Sequence, residues 1–461
     1  MRIVFITPET ENYAVMLFSA LLKKEGHDVH LIFDPRLFAN DELNNSHLSR
    51  FFDISRQNLN KIIDLNPDFV AFSVYTQDYR WALDYAKQIK YVMPSTKIIF
   101  GGIHCVLCPD EVNKHAFIDY VCTGEGEEFI VNLLNGKDVD PGCLRDELTD
   151  LNTLPFPDKD LLFDQKGVFK RDYSIATSRG CPFNCAFCAS SSLNKKYKNK
   201  YLRQRSVDHV IQELLLAKAK YSPKSIYFTD DNLTLNTEWL GEFSRAYKIL
   251  IGLPFYCTAN PGHITEEQIV LLKKSGCQMI GFGLQSTDED YRKKVFKRGG
   301  SNEHIKKMVK LCKSLGISYS FDHICMGDED EQVSLRFYNE TRPDIINSFS
   351  LVYLPGTYLT SRLPDEDIKR INQGYLKTSM LNRDNDWFTS MCAVLPLLHP
   401  RVVDWLLDTG LYKWVRLPFF FRLFFKDISR LKIGRYSDVF FPIRLLLVNM
   451  RDNLRIKYFN K

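Results

Sequence analysis

Apolar positions along this chain fall into two long blocks in which short hydrophobic runs alternate with stretches of helical spacing. In the first block the runs at 3–7, 28–34, 69–75, 97–100 and 119–122 are nearly continuous, as in strands buried on both faces. Between them, 14–25 and 82–91 repeat apolar residues at helical intervals, and Gly26 stops the first of these. This alternation predicts a parallel, doubly wound sheet, whose ligands sit at the carboxyl ends of the strands. The loops after Thr7, Tyr75, Gly102 and Thr123 are then expected to line one rim. From about 137 to 172 the pattern dissolves into Pro, Asp and Gly, including Leu154-Pro-Phe-Pro-Asp158, and predicts a linker.

The second block predicts strands over 173–177, 225–229, 255–259, 279–284, 318–325 and 348–354, with helices over 207–220, 238–250, 266–274 and 302–315. Ser206 is placed as an N-cap, and Thr265-Glu-Glu-Gln268 as a capping box. Six strand–helix units over about 190 residues predict a partial (β/α)6 barrel of the TIM type, since a complete one takes roughly 250. Chemistry in such a barrel lies at the strand ends. The expected domains are 1–136, a Rossmann-like sheet; 137–172, the linker; 173–363, the partial barrel; and 364–461, a helical, basic and aromatic region.

Composition narrows the class. With 461 residues, 45% hydrophobic and 25% charged, the chain is long enough for two or three globular domains. No export signal is expected at Met1, and no uncharged apolar run reaches the roughly 18 residues of a membrane span. Twelve cysteines then point to a reducing cytoplasm, where thiols bind metals or stay free; Cys257, Cys277 and Cys312 read as small buried residues. The net charge of +5 hides an asymmetry. Residues 411–461 hold twelve Lys or Arg against three Asp, a net of +9, so everything before them sums to −4. Arg422, Lys426 and Arg430 step in fours along one helix face, with Phe420, Phe421, Phe424, Phe425, Ile428 and Leu431 around the rest. Two readings stand: a helix lying on the inner face of a membrane, basic side chains on anionic head groups, or a helix covering the barrel's open edge. No feature suggests a site for nucleic-acid bases.

Directly after the first strand of the second block stands Thr177-Ser-Arg-Gly-Cys181-Pro-Phe-Asn-Cys185-Ala-Phe-Cys188. Three thiolates in this spacing suit three irons of a cubane and leave the fourth iron without a protein ligand. Structural zinc wants four ligands, usually as paired C-x-x-C, and no fourth Cys or His stands nearby at such spacing.

On these residues the chain resembles the radical S-adenosylmethionine superfamily, over about 173–358. The resemblance implies a 4Fe–4S cluster on Cys181, Cys185 and Cys188, with S-adenosylmethionine chelating the open iron. Its one-electron cleavage gives a 5′-deoxyadenosyl radical that abstracts hydrogen, the electron coming from a donor such as flavodoxin or ferredoxin. The same template places Phe187 over the adenine, Asp230 and Asp231 at the methionine ammonium, and Arg205 at the carboxylate; Arg203 reads as part of a solvated basic loop. Gln285 and Ser286 occupy a cofactor-contacting position where relatives often carry Glu before the Ser, and Gln285 hydrogen-bonds without charge. Met326-Gly-Asp-Glu-Asp-Glu331 departs from the Gly-rich, Pro-containing turn of many relatives.

The first block resembles the domain of the cobalamin-binding subgroup of that superfamily. The resemblance is carried by Lys23-Lys-Glu-Gly-His-Asp-Val29, Asp68-Phe-Val-Ala-Phe-Ser73, Gly101-Gly-Ile-His104, Gly124-Glu-Gly-Glu-Glu128, Leu154-Pro-Phe-Pro-Asp158 and, after the sixth barrel strand, Pro355-Gly-Thr357. It implies cobalamin over the strand ends, near Ser73, Gly101, Gly102 and Gly124, with no His from the Thr7–Asn12 loop to ligate cobalt. His104 reads as a hydrogen-bonded loop residue. The activity expected from the resemblance is methylation of an unactivated carbon on a small-molecule or lipid-like substrate. A cyclase or oxidoreductase without methyl transfer, and a non-catalytic iron–sulfur or cobalamin carrier, are the alternatives.

Overall fold

A computed structural model of the chain describes residues 1–8, 11–39, 46–139, 148–325, 331–376, 387–432 and 441–459. The turn at 326–330, residues 9–10 of the first rim loop, and the side chains of Phe420, Arg430 and Leu431 lie outside the described residues.

The apolar runs of the first block become β1 (Arg2–Pro8), β2 (Asp28–Asp34), β3 (Phe69–Ser73), β4 (Lys97–Gly101) and β5 (Tyr120–Val121), all parallel, in the order β2-β1-β3-β4-β5. That order reverses direction between β1 and β3, which opens a crevice at their carboxyl ends. One face is covered by α1 (Tyr13–Lys24) through Val15, Met16 and Leu22 and, further along the chain, by Glu127–Leu134. The opposite face is packed by α3 (Ser55–Leu65) and α4 (Tyr79–Val92) through Ile62, Ala82, Ala86 and Ile89. Helices α2 (Ser46–Phe52) and α3 fill a stretch where periodicity predicts none. Phe52 is the only residue α2 buries, so its sequence carries no apolar stripe to read. The helix over Glu127–Leu134 is α5.

The second sheet has six parallel strands: β6 (Asp172–Ile175), β7 (Ser225–Phe228), β8 (Phe255–Ala259), β9 (Cys277–Gln285), β10 (Ser318–Cys325) and β11 (Ile345–Ser350). They lie side by side in chain order and leave β6 and β11 as open edges, a partial barrel. Helices α6 (Ala189–Lys196), α7 (Val207–Tyr221), α8 (Thr237–Leu250), α9 (Glu266–Ser275), α10 (Asn302–Ser314) and α11 (Glu331–Thr341) run between the strands. Ser206 caps α7 by accepting from the His209 amide, and Thr265 and Gln268 form the reciprocal box on α9. The last strand begins three residues before the predicted start. Past β11 the apolar run at 351–354 turns toward Pro355-Gly356; the Leu351 amide still donates to Cys325 on β10, and Leu351 and Tyr353 pack beside Phe187.

One apolar core runs from the first sheet through Leu161, Leu162 and Phe163 into the barrel. The C-terminal region adds α12 (Trp387–Val394), α13 (Pro400–Thr409), α14 (Phe419–Lys432) and α15 (Phe441–Phe459). Helix α14 packs on α12 and on the edge strand β11, so it covers the open edge of the barrel; Phe421 and Phe424 stay exposed. Helix α15 returns to the first domain, where Leu446, Met450 and Leu454 meet Leu37, Phe38 and Phe52. Lys166 pairs with Asp452 at 2.6 Å across the same junction. Among the described residues no helix is long and apolar enough to cross a membrane.

Candidate functional site

The cysteine loop is built at the end of β6. Ser178-Arg179 pairs antiparallel with Arg203-Gln204, and Gly180 then turns the chain at φ +91°. A Cβ there would lie 2.9 Å from the Tyr201 ring, so both the conformation and the space require glycine. The loop is pinned by two backbone bonds just after Cys185: the Ala186 amide donates to Phe296, and its carbonyl accepts from Leu359. Cys188 opens α6, whose Asn194 reaches back to the Cys181 carbonyl.

Cys181, Cys185 and Cys188 are free thiols. Burial pushes the Cys181 thiol up to about 12 and raises that of Cys188, so thiolates here call for compensating positive charge. Arg298 supplies some, donating to the Cys185 sulfur at 3.3 Å. Among the described residues no three Cys, His, Asp or Glu side chains gather as the ligands of a single ion would. A cubane differs, because each thiolate serves a separate iron.

Around this loop the predicted residues divide into two groups. Asp230 is buried and spent: it accepts from the Thr177 amide, the Thr177 hydroxyl at 2.8 Å and the Ser178 hydroxyl at 2.5 Å. It ties the end of β7 to the strand that enters the cysteine loop. Arg205 is likewise buried, paired with Glu213 at 2.6 Å and donating to the Ala176 carbonyl. Ser286 turns inward to bond the Asp288 amide. Arg203 is not solvated: it pairs with Glu125, and only 18% of its side chain is exposed.

The second group faces the loop. Asp231 is exposed, accepts from Ser190 at 2.7 Å, and its charge raises the Cys181 and Cys188 thiols. Gln285 ends β9 in the left-handed region at φ +71°. At Gly283 a Cβ would lie 2.8 Å from the Gln285 amide nitrogen and 3.0 Å from an Arg298 nitrogen, so the bare glycine makes room for both side chains. Phe187 meets Phe296 edge-on at 5.2 Å. On β10, Asp322 accepts from Asn347 at 2.9 Å; burial raises its carboxyl, against the opposing charges of Lys426 on α14 and Arg298. Arg298 was not anticipated from sequence. Its signal is the Arg298-Gly-Gly300 turn, where Gly262 and Gly300 touch backbone to backbone and fix the loop.

At the carboxyl ends of β1, β3 and β4 lies a cavity of about 350 Å³, and Ser73, Gly101, Gly102 and Gly124 all line it. Its volume is in the range of small-ligand pockets. The far wall belongs to the barrel's entrance, with Arg179, Tyr197 and Tyr201. Gly102 is fixed by the protein itself: at φ +92° a Cβ would lie 2.5 Å from the Val74 nitrogen. His104 is not in the lining. It is buried against Tyr79, its Nδ1 lies 3.2 Å from the Thr76 hydroxyl, and burial lowers its proton affinity to a pKa of about 4. In the described part of the loop after β1, Glu11 is engaged with Lys159 and Asn12 caps α1, so no His is offered to a metal from there.

A doubly wound domain whose strand ends face a three-cysteine loop on a partial parallel barrel is the arrangement that the resemblance to radical S-adenosylmethionine proteins with a cobalamin-type domain implies. The profile of the B12 binding domain matches residues 3–134, and that of the radical SAM superfamily matches residues 175–334. The chain therefore carries both a B12 binding domain and a radical SAM domain. It is 27% identical to an uncharacterized methyltransferase of Pyrococcus horikoshii over 78% of this chain and 82% of that protein. It is 24% identical to the hopanoid C-3 methylase of Methylococcus capsulatus, over 75% of this chain and 67% of that protein. Among solved structures, the cobalamin-dependent S-adenosylmethionine radical enzyme OxsB with aqua-cobalamin bound shares the fold. The TM-score is 0.63 and the identity 14%, over 99% of this chain and 84% of that one.

Proposed function

We propose that this protein is a cobalamin-dependent radical C-methyltransferase acting on an unactivated carbon. The observation that carries the reading is the shared wall: Arg179, two residues before Cys181, lines the same cavity as Ser73, Gly101, Gly102 and Gly124. The cluster with S-adenosylmethionine supplies reductive cleavage and hydrogen abstraction, and cobalamin supplies a methyl group for transfer.

Cys181, Cys185 and Cys188 are assigned to the cluster irons. Arg298 and Gln285, side by side over Gly283, suit the S-adenosylmethionine carboxylate, and the exposed Asp231 suits its ammonium. Phe187, backed by Phe296, presents an aromatic face for the adenine. Asp230 and Arg205 act through the strands they hold. The rim glycines leave backbone bare for the corrin and its tail. The barrel walls and the covering helix α14 keep water from the reacting carbon.

Replacing Arg298 by Gln keeps a donor and removes the charge and the fork. Loss of a charge-assisted hydrogen bond is worth roughly 1.5–3 kcal/mol, so S-adenosylmethionine binding, read by isothermal titration on reconstituted protein, weakens on the order of 10- to 100-fold. Wild-type affinity would remove Arg298 from the carboxylate site.

A lipid-like substrate is supported by the exposed Phe421 and Phe424 on the helix beside the barrel edge, and by the similarity to a hopanoid methylase. A reduced flavodoxin or ferredoxin is the proposed donor class. The deciding assay is anaerobic, on reconstituted protein, and reports 5′-deoxyadenosine, S-adenosylhomocysteine and product mass together. Methylation yields both nucleosides and a product heavier by one methylene unit. Appearance of 5′-deoxyadenosine with a product of unchanged carbon count would instead make it a cyclase or oxidoreductase.

A further inference from the structure

Two buried ionic networks join the rim of the first sheet to the stretch that enters the cysteine loop. In one, Arg179 donates to Glu125 at 3.0 Å and to Glu127. Arg203, opposite Arg179 on the two-residue ribbon, donates to both oxygens of Glu125 and, at 2.7 Å, to the Thr149 carbonyl. None of the four charged side chains is more than 20% exposed. In the other, the fully buried Lys159 donates to Glu11 and to the Ser174 carbonyl at 2.8 Å, and the Ser174 hydroxyl donates to Glu11 at 2.7 Å.

The two networks have a common logic. Glu125 and Glu127 follow β5, Glu11 follows β1, and these two loops flank the interdomain cavity. Both are tied to residues 174–179, which run through Gly180 into Cys181. Forked arginine–carboxylate bonds are directional, and breaking a buried pair strands a charge, so neither loop shifts alone. Domains in one chain ordinarily move relative to each other; these are held at the points nearest the chemistry.

Resting on the cobalamin-dependent reading above, we propose that these networks form a rigid strut setting the separation of cobalamin from the cluster, with Arg179 as its positioning residue. Radical transfer and methyl transfer must reach the same carbon, so both cofactors need one fixed spacing around it. A misplacement of about 1 Å costs on the order of 100-fold in such reactions.

The test uses the full chain loaded with cluster and hydroxocobalamin, then reduced, with the cob(II)alamin-to-cluster distance read by pulsed electron paramagnetic resonance. Unmodified protein is expected to give one narrow distance. Arg179→Gln and Glu127→Gln are expected to stay folded and keep their iron content, with a thermal midpoint lowered by the stranded partner charge, while the distance shifts or its distribution broadens. Arg179→Lys, which keeps charge without the fork, falls between. An unchanged distance in both neutral variants, or unfolding of both, overturns the strut. Corrin binding to the unmodified chain is scored first. Its absence sinks the reading beneath the proposal, and the proposal with it, and is distinct from an unchanged distance.

Discussion

Alanine at Cys185 takes reductive cleavage of S-adenosylmethionine to the level of protein carrying no cluster. Of the three cysteines this one is the most enclosed, and its sulfur receives a charged side-chain donor, Arg298 at 3.3 Å. A cubane with three protein ligands has none to spare, since the fourth iron must stay open for the substrate-activating ligand. Removing Cys185 also takes away the sulfur to which the Arg298 guanidinium donates. Iron and sulfide content should fall together with 5′-deoxyadenosine output. Cys312→Ala, at a buried thiol far in sequence from the loop, is the control and should keep both. A Cys185→Ala protein that retains a cluster and cleaves S-adenosylmethionine would displace the cysteine assignment.

Gly102→Ala should be the most damaging change in the first domain. The position sits at φ +92°, ψ 178°, a region open essentially to glycine, and its Cβ would press within 2.5 Å of the Val74 nitrogen and 2.8 Å of its oxygen. Backbone strain of this kind costs about 1–3 kcal/mol, and forced overpacking costs a similar amount. Val74 cannot retreat, because its amide bonds the Gly101 carbonyl and its own carbonyl accepts from His104. The denaturation midpoint should therefore drop well below that of Gly136→Ala, where φ is +75° but nothing lies within 4 Å of the added carbon. Corrin affinity should fall with it, because Gly102 lines the cavity. Equal midpoints for the two variants would show that the Val74 contact relaxes.

The contrast between these two sites shows what the sequence carries. Cys185 and Gly102 are both legible, one as a metal ligand in tight local spacing, the other as a glycine at a strand end. The reason for Gly102 is not legible: the collision is with Val74, 28 positions away, just past the end of the neighbouring strand β3. The same holds for Arg205 and Asp230. Their residue types suit a charged cofactor, yet Glu213 and Thr177 claim them first, and such partners are set by how strands and helices stack. Arg203 looks like a solvated base until β5 brings Glu125 to it. Strands with continuous apolar runs, and helices with Ser206 or Thr265 at their starts, are read almost to the residue, because those signals are local. Helix α2 is missed because it turns one residue inward and depends on α15, nearly four hundred residues later.

That dependence orders events in time. The groove of Leu37, Phe38 and Phe52 stays uncovered until α15 has been synthesised, and its occupants Leu446, Met450 and Leu454 follow Phe52 by about four hundred residues. At about 5–20 residues per second, the first domain waits roughly 20–80 s with this flank open. The corrin crevice lies on a domain that emerges early and is fastened late. Cofactor loading and chaperone capture thus share a window that shuts only when α15 docks.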